Sequence, residues 1–390
     1  MIKSKTFQVL DLFCGTGALS FGLHARNKSF MTIGGIDLDF SATETAKLNH
    51  KEAIIICDKI ENIAPDSLLS KQTNKEIDLI VGGPPCQGFS SLRPSRGLDL
   101  DDPRNGLYKE FIKYVAAIRP TAFLMENVNG LIGANDGRLL KSVLTGFQRV
   151  GYEVDWRILN AANFGIPQKR ERVFVIGVKK SATNSKVIFP LPTHQFDGKV
   201  IGTRLKSNYL SNGNKGLPTV TVWDAISDLP SLLSGCRSEQ YGSPPQNQYQ
   251  LARRQKASKK LTLHEAANHS AKMLEIIKYS GPNIGSIPSH LITSGYSSCY
   301  SRLSKDEPST TITVKFTSPA SSKCIHPIDH RSITPREAAR IQGFDDRFQF
   351  FGSKTDIASQ IGNAVPPILG GIFADFFERV LDSRIAIQEY

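Results

Sequence analysis

Short apolar segments alternate with helix-like segments through the first 180 residues of the 390-residue chain. The apolar segments are rich in strand-forming residues and occupy residues 7–13, 31–37, 53–57, 77–83, 121–127 and 172–178. Between the later segments, apolar residues such as Leu107, Phe111 and Val115 recur at helical spacing. Nearly continuous apolar strands separated by amphipathic helices are typical of parallel strands buried on both faces. The pattern therefore predicts an α/β fold with a doubly wound, mostly parallel sheet, whose ligand lies at the carboxyl ends of the strands.

The alternation stops near residue 185, and regular patterns return near residue 326. The intervening residues are rich in Ser, Asn, Gly and Pro, with helix-like patterns only near 222–229 and 264–279. In SITPREAARIQGF, Thr334, Pro335 and Glu337 then form a capping-box signature, and a last apolar helix is predicted after the Pro-Pro pair at 366–367. We therefore predict a first domain over 1–184, a smaller irregular domain over 185–325, and a C-terminal segment over 326–390 that returns to the first domain.

The net charge of +12 comes from the middle of the chain. Residues 1–100 and 301–390 each carry 11 basic and 11 acidic side chains, whereas residues 101–180 carry 13 and 8, and residues 181–300 carry 13 and 6. A localised basic excess is typical of a surface that binds a polyanion, because each phosphate contact releases condensed counterions. On charge alone, a solvated basic face that binds nothing is the alternative.

The composition limits the class of protein. Hydrophobic residues at 40% and charged residues at 22% are typical of globular proteins rather than disordered ones. No apolar run approaches the roughly 20 residues of a membrane span, and the N-terminus lacks a signal-peptide pattern, so we expect a cytoplasmic protein. The cysteines are scattered without zinc-site spacing, which favours neither a disulfide framework nor a metal site. They are Cys14, Cys57, Cys86, Cys236, Cys299 and Cys324.

A glycine turn closes the first predicted strand in DLFCGTG, and Asp37 ends the second. This layout suits an adenosine-containing ligand, because glycines allow close backbone approach and the carboxylate can bind ribose hydroxyls. Ser20 stands where a dinucleotide fingerprint has its third glycine. A ligand without pyrophosphate, such as S-adenosylmethionine, therefore fits better than a dinucleotide, although tight packing alone would also explain the turn.

Three further groups of residues follow predicted strands at the same edge of the sheet. Cys86 lies in GGPPCQGFS, where two prolines would hold a reactive thiolate rigidly. Glu126 ends the next strand, and Arg170 and Arg172 precede the last one. Taken singly, the cysteine would be a small buried side chain, the acid a helix cap and the arginines surface charges. Their joint appearance at one edge favours an active site that contains a nucleophile, an acid and fixed hydrogen-bond donors.

These motifs resemble those of the DNA (cytosine-5) methyltransferase family, in particular the enzymes of bacterial restriction-modification systems. The matching segments are DLFCGTGALSFGL, GGPPCQGFS, ENV, QKRERVFVIG and QIGNAVPP, in the family's order, with a variable region before RLSKDEPSTTIT. The resemblance implies a Rossmann-like methyltransferase sheet with a target-recognition domain over residues 185–325. It also implies S-adenosylmethionine as methyl donor, no metal, and double-stranded DNA as substrate.

The resemblance also implies roles for individual residues. Phe13 would contact the adenine, Asp37 the ribose, Asp58 the adenine amino group and Asn363 the methionine end of S-adenosylmethionine. At Leu38, the family often has an aromatic residue. The complete set of implied cofactor-binding residues is Phe13, Gly15, Gly17, Asp37, Leu38, Asp58, Pro84 and Asn363.

For catalysis, the resemblance implies that Cys86 adds to C6 of a flipped cytosine, which activates C5 toward the sulfonium methyl group. A protonated Glu126 at N3 and Arg172 at O2 would stabilise the activated ring, with Arg170 supporting the loop and the acid. Residues 87–104 are a candidate lid over the flipped base, or alternatively a surface loop. The residues expected to contact DNA are Ser90, Arg93, Arg96, Arg253 and Arg254.

We expect a monomer, associated with the bacterial nucleoid, with a companion restriction endonuclease acting on the same DNA site as a possible partner. Three other functions compete with this interpretation. An RNA (tRNA) cytosine-5 methyltransferase would have a smaller variable region than residues 185–300. A catalytically silent DNA-binding homologue would have lost Cys86, Glu126 or an arginine, and a nicotinamide-dependent oxidoreductase would have the third glycine. The DNA target sequence is not predictable from the chain, because base contacts depend on side-chain placement in an irregular domain.

Overall fold

The computed structural model describes residues 5–65, 67, 76–85, 106–182, 189–196, 216–292 and 295–382. In these residues, one sheet contains seven strands in the order β3-β2-β1-β4-β5-β8-β6. Its strands are β1 (Phe7–Leu12), β2 (Phe30–Asp37), β3 (Ile54–Cys57), β4 (Leu79–Gly82), β5 (Ala122–Asn127), β6 (Tyr152–Asn160) and β8 (Glu171–Lys179). Two-residue strands form two small additional sheets, in which β7 (Gln168–Lys169) pairs with β11 (Ser309–Thr310) and β9 (His194–Gln195) with β10 (Leu217–Pro218).

The central sheet is mostly parallel, as the sequence predicts. Strands β1 to β5 pair in parallel, whereas β8 runs antiparallel to both β5 and β6. All six predicted strands are present within a residue or two of their expected bounds. The additional strand, β6, was not predicted. Its middle residues are only partly buried and polar side chains such as Asp155 and Arg157 interrupt the apolar pattern, because it is the last strand of the sheet.

Helices cover both faces of the sheet. One layer contains α1 (Ala18–Arg26) and the C-terminal helix, which share a core with β1, β4 and β8. The opposite layer is built from the helices Leu107–Ile118 and Arg138–Arg149, whose apolar faces pack against β4 and β5. In chain order, the remaining helices are α2 (Phe40–Asn49), α3 (Leu107–Ile118), α4 (Gly130–Gly133), α5 (Arg138–Arg149), α6 (Val222–Ile226), α7 (Gln248–Arg253), α8 (Ala271–Lys278), α9 (Pro335–Gln342), α10 (Lys354–Asn363) and α11 (Pro367–Leu381).

Glycines permit close contact between α1 and α11. A Cβ atom on Gly22 would lie 1.9 Å from the Pro367 carbonyl oxygen, and one on Gly370 would lie 2.2 Å from the Leu19 carbonyl oxygen. The segment Lys354–Leu381, which includes α11, is long and apolar enough to cross a membrane by length and composition, but most of it is buried in the protein. The apolar composition of this segment is therefore explained by the burial of its two helices in the protein core.

A second lobe, residues 216–292 and 295–364, packs beside the sheet. Its core includes Val222, Ile226 and Leu303 together with Ile341 and Ile361. These residues come from both sides of residue 325, and Ala18 and Phe21 of α1 belong to the same core. The predicted capping box is present, since Thr334 and Glu337 cap each other's backbone at the start of α9. Of the helix-like region 264–279, only Ala271–Lys278 is α-helical, and α7 was not predicted.

Three fully buried arginines hold this lobe together. Arg331 donates to both carboxylate oxygens of Glu337 at 2.8 Å, and Arg340 donates to Asp346 at 2.7 Å. We call this set the buried arginine network. Its members are Arg331, Arg336, Arg340, Asp228, Asp329, Glu337 and Asp346.

Candidate active site

The predicted site residues meet at one edge of the central sheet. Strands β1, β2, β4 and β5 are parallel, so their carboxyl ends lie at the same edge, which we call the carboxyl edge. Because β8 is antiparallel to β5, the start of β8 lies there too, and Arg172 is paired in the sheet with Leu159. The carboxyl edge therefore contains the glycine turn after β1, Asp37, Glu126 and the two arginines.

The glycine turn after β1 is a left-handed segment. Phe13, Gly15 and Gly17 have φ values of 55°, 49° and 70°. A Cβ atom on Gly15 would meet nothing within 4 Å, whereas one on Gly17 would lie 2.6 Å from Nε2 of His50. Gly17 is thus required for packing, and Gly15 leaves open space at its Cα.

Asp37 connects this turn to the end of β2. Its Oδ2 accepts a hydrogen bond from the Gly15 backbone N–H at 2.7 Å, and its Oδ1 accepts one from the Asp39 backbone N–H at 2.9 Å. Burial raises the pKa of Asp37, and these backbone hydrogen bonds oppose the increase. The carboxylate is thus oriented beside the open space at Gly15, where a ribose could be bound.

Exposed apolar side chains follow Asp37. Leu38 is 64% exposed and Phe40 is 61% exposed, with the Phe40 ring edge-to-face against Phe351 at 6.2 Å between centroids. Leu38 is a predicted cofactor-binding residue, whereas the sequence analysis did not consider Phe40. The aromatic residue two positions after Leu38 in DLDF was the available signal, and the structure leaves its ring largely exposed after Asp37.

The segments of Asp58 and Asn363 are connected to Asp37 and to the helix that follows it, respectively. The Asp58 backbone N–H donates to the Asp37 carbonyl oxygen at 3.0 Å, so the exposed Asp58 side chain follows β3 beside Asp37. Asn363 is exposed at the end of α10. Thr45 of α2 donates to Gln360 of α10 at 2.8 Å, which connects the helix before Asn363 to the helix after Asp37.

Glu126 and Arg172 form a buried ion pair at the centre of the carboxyl edge. Arg172 Nε lies 3.0 Å from Glu126 Oε1, and the side chains are only 17% and 12% exposed. Burial raises the pKa of Glu126, although Arg172 and Arg170 act to lower it. The pair therefore combines a carboxyl group with increased proton affinity and a fixed cation.

The segment that leads to Cys86 lies against this pair. A Cβ atom on Gly83 would lie 3.0 Å from Glu126 Oε2, and the carbonyl oxygen of buried Pro84 accepts a hydrogen bond from the Asn127 side chain at 2.9 Å. Cys86 itself lies outside the described residues.

Arg170 is buried behind the pair. Its two terminal nitrogens donate to the carbonyl oxygens of Ala364 at 3.1 Å and Ile312 at 3.5 Å. Among the described residues, its Nε has no hydrogen-bond partner. Arg170 thus joins the backbone of two other segments beside the edge.

Two residues predicted to contact DNA have internal partners instead. Arg253 forms an ion pair with Asp345 at 2.9 Å, and Arg254 forms one with Asp228 at 3.1 Å. The Arg254 guanidinium also stacks on Tyr241 at 3.7 Å from the ring centroid. These contacts favour a structural role in the second lobe. The other three, Ser90, Arg93 and Arg96, and the candidate lid lie outside the described residues.

The described part of the chain contains no group of three or more His, Cys, Asp or Glu side chains placed to hold a metal ion. The residues at the carboxyl edge instead fit S-adenosylmethionine, because a carboxylate, a glycine turn with open space and exposed apolar side chains lie together. The neighbouring Glu126–Arg172 pair can donate a proton and stabilise negative charge on a ring placed next to it.

Comparison with known proteins supports this interpretation. Residues 7–375 match the family model described as C-5 cytosine-specific DNA methylase. The type II methyltransferase M1.HphI of Haemophilus parahaemolyticus is 32% identical over 96% of this chain and 87% of its own. For the type II methyltransferase M.NgoFVII of Neisseria gonorrhoeae, the identity is 34% over 97% of this chain and 90% of its own.

Solved structures share the fold. A protein assigned as a prophage-encoded DNA modification methyltransferase of E. coli aligns over 97% of this chain and 100% of its own, with a TM-score of 0.74 and 24% identity. The DNMT2 protein of Spodoptera frugiperda aligns over 96% of this chain and 99% of its own, with a TM-score of 0.58 and 15% identity. The predicted Rossmann-like methyltransferase fold is therefore confirmed.

Proposed function

Because the chain belongs to the C-5 cytosine-specific DNA methylase family, as its motifs predict, we propose that it methylates C5 of a cytosine within a specific double-stranded DNA sequence. The observation that carries the proposal is the buried Glu126–Arg172 pair, 3.0 Å apart, against the Gly83–Pro84 segment that leads to Cys86. An acid, a cation and a nucleophile on adjoining segments are what activation of a cytosine ring requires.

The family implies S-adenosylmethionine as methyl donor. When bound, it supplies an electrophilic methyl group on a positively charged sulfur. We propose that Phe13, Asp37 and Phe40 hold its adenosine, with Gly15 allowing close backbone approach. The orientation of the Asp37 carboxylate by Gly15 and Asp39 supports this role. Leu38, Asp58, Pro84 and Asn363 complete the proposed pocket.

In the proposed chemistry, the Cys86 thiolate forms a bond to C6 of the cytosine. Electron density moves onto C5 and N3, so Glu126 donates its proton to N3 while Arg172 stabilises the charge at O2. Burial raises the pKa of Glu126, which supports its assignment as the proton donor. C5 takes the methyl group as the sulfur–methyl bond breaks, which leaves a neutral thioether. The C5 proton then leaves to a base, and the C6–sulfur bond breaks to restore the thiolate. N3 returns its proton to Glu126, which restores both the neutral aromatic ring and the acid.

A stacked base cannot present its face to this edge, so the target cytosine must be flipped out of the duplex, which costs a few kcal/mol. Ser90, Arg93 and Arg96 remain candidate DNA contacts, and residues 185–325 remain the candidate target-recognition region because they include most of the +7 segment 181–300. Arg253 and Arg254 are not assigned to DNA, because both are paired internally. We further propose a cytoplasmic monomer that protects nucleoid DNA from a companion endonuclease.

The function is tested by expressing the wild-type chain and Cys86→Ser in a bacterial host that lacks cytosine-5 methylation. Bisulfite sequencing of host DNA should show cytosines protected in one sequence context with the wild type and in none with Cys86→Ser, because a serine hydroxyl is far less ionised than a thiol. Host tRNA is sequenced in parallel. Methylation of tRNA with unmodified DNA would overturn the DNA assignment in favour of the RNA alternative.

A segment exchange tests the target-recognition assignment. Residues 185–325 are replaced by the corresponding segment of a relative with another target sequence, and the DNA context is again determined by bisulfite sequencing. We expect the donor's target. If the chimaera is active and keeps the recipient's target, the assignment of this region is wrong.

A further inference from the structure

One buried glutamine joins the segments that carry the proposed cofactor-binding and catalytic residues. Gln342, the last residue of α9, is completely buried. Its Nε2 donates to the Ala364 carbonyl oxygen at 2.7 Å, and its Oε1 accepts a short hydrogen bond from Nε2 of Gln168. A buried amide with both ends bonded fixes the separation of its two partners.

Each partner of Gln342 adjoins a proposed functional residue. Gln168 precedes Arg170 by two residues and Arg172 by four, and Ala364 directly follows Asn363. Arg170 donates to the same Ala364 carbonyl oxygen at 3.1 Å, so this single acceptor is bonded from both α9 and the arginine segment.

A third segment completes the arrangement. The Ile312 backbone N–H donates to Gln168 Oε1 at 3.0 Å, and its carbonyl oxygen accepts from Arg170 at 3.5 Å. One residue before Asn363, a Cβ atom on Gly362 would lie 2.5 Å from the Val314 nitrogen, so the two backbones are in direct contact. The backbone at 312–314 is therefore held between the arginine segment and the end of α10.

Packing alone does not require a polar side chain at Gln342. An apolar side chain of similar volume could fill the position of Gln342 without the need to satisfy two buried polar groups. A completely bonded polar network, by contrast, specifies one relative position of the segments that it joins. The two glutamines lie between the segment of the Glu126–Arg172 pair and the segment of Asn363.

From this geometry, we propose that Gln342 is a positioning residue for methyl transfer, which sets the distance between the Glu126–Arg172 pair and the Asn363 segment. It thereby aligns the flipped base with the methyl donor. The inference rests on the proposed function, because it places the flipped base beside the Glu126–Arg172 pair and the methyl donor beside the Asn363 segment.

The test compares Gln342→Met with Gln250→Met, a matched control. Gln250 is also completely buried and bonded at both ends, since it donates to Ser227 Oγ at 2.8 Å and accepts from the Gln246 backbone at 2.7 Å. Gln250 lies in α7 of the second lobe and contacts none of the three joined segments through these bonds. We measure melting temperature, S-adenosylmethionine Kd and the single-turnover methylation rate at saturating DNA and cofactor.

We expect both variants to lower the melting temperature. Only Gln342→Met should also lower the single-turnover rate, by about 10- to 100-fold, and raise the cofactor Kd by about two- to tenfold. If Gln342→Met fails to fold, Gln168→Met replaces it with the same expectations, because it removes the donor to Gln342 and the acceptor of the Ile312 N–H without adding a charge.

A double variant sharpens the result. If Gln168 and Gln342 act as one unit, Gln168→Met combined with Gln342→Met should be no slower than the slower single variant, whereas multiplied losses would contradict a shared role. Rates and Kd values for Gln342→Met that equal those of Gln250→Met would overturn the inference while the proposed function stands. A wild-type enzyme without cytosine methylation would overturn both.

Discussion

Charged side chains are removed from water both at the carboxyl edge and in the buried arginine network, but their pairing differs between the two regions. In the network, burial acts to raise the pKa of Glu337, but Arg331 and His326 outweigh it and lower the pKa to about 2. At the carboxyl edge, burial raises the pKa of Glu126, and Arg172 with Arg170 only partly offsets the increase. The pKa values of two glutamates that both lie beside arginines are thus shifted in opposite directions.

The nearby positive charges, together with the hydrogen bonds around each carboxylate, explain the difference. Glu337 accepts two bonds from Arg331 at 2.8 Å and one from the Thr334 backbone at 2.7 Å, so its ionised form is favoured. Glu126 has one close contact with Arg172 at 3.0 Å and faces Gly83. A completely paired network stabilises the fold, whereas a partly compensated carboxyl with a raised pKa is typical of a group that transfers protons. Changes at the edge should therefore affect activity, and changes in the network should affect stability.

The largest expected effect is on the methylation rate of Glu126→Gln. Loss of the acid should lower the single-turnover rate by about 100- to 10,000-fold, with a much smaller loss of unfolding free energy than in the network. The control is Glu110→Gln, which removes an exposed ion pair with Lys113 on α3. A Glu126→Gln enzyme that is as fast as the control would show that Glu126 is not the acid.

In the network, Arg340→Met should lower the free energy of unfolding by about 3 to 5 kcal/mol, because it leaves Asp228 and Asp346 buried without this partner. Urea unfolding measures the change. The matched variant is Arg26→Met, which breaks the exposed pair with Asp375 and should cost at most about 1 kcal/mol. Equal losses in the two variants would show that the buried pairing is not what stabilises the second lobe.

On the cofactor side of the edge, Asp37→Ala should weaken S-adenosylmethionine binding by about 1.5 to 3 kcal/mol. Its carboxylate is the proposed ribose ligand and also holds the Gly15 backbone. Isothermal titration calorimetry measures the affinity, with Asp375→Ala as a control distant from the edge. An unchanged cofactor affinity would mean that Asp37 only stabilises the turn, and DNA affinity should change little.

The smallest effect is the pH dependence of stability. The pKa of Glu126 in the folded protein is above its ordinary value of 4.5, so folding favours the protonated form. Its contribution to stability is complete below pH 4.5 and is lost as pH rises through the raised pKa. The loss is about 1.4 kcal/mol for each pH unit that separates the folded and unfolded pKa values. Relative to Glu126→Gln, the free energy of unfolding of the wild type should therefore decrease as pH rises from the unfolded to the folded pKa of Glu126. At higher pH, this difference should remain constant. An increase with pH would mean that the pKa is lowered.

The two regions also differ in how far the sequence predicts them. The strands of the sheet have local apolar patterns, so the carboxyl edge and the positions of Asp37 and Glu126 on it could be predicted. The Thr334–Glu337 capping box is equally local, because its partners are three residues apart. Strand β6 was not predicted because it lies at the edge of the sheet, where it pairs with β8 alone, and because polar residues interrupt its apolar pattern.

The long-range contacts of the second lobe have no such local signal. Arg340 and Asp228 are 112 residues apart, and Gln168 and Gln342 are 174 apart. Arg254 lies in a basic run that predicts a nucleic-acid contact, yet it pairs with Asp228 and stacks on Tyr241. Long-range pairing of charges depends on tertiary packing, which neither periodicity nor composition records.

The central claim, a covalent bond between Cys86 and C6 of the target cytosine, is tested most directly with DNA that carries 5-fluorocytosine at the target site. Fluorine cannot leave as the C5 proton does, so the enzyme should stop after methyl transfer, still bonded to the DNA. Denaturing electrophoresis should show an adduct that depends on S-adenosylmethionine, and peptide mapping should place it in GGPPCQGFS. The claim would be contradicted by an enzyme that methylates ordinary target DNA without forming the adduct, or by an adduct at Cys14 or Cys57.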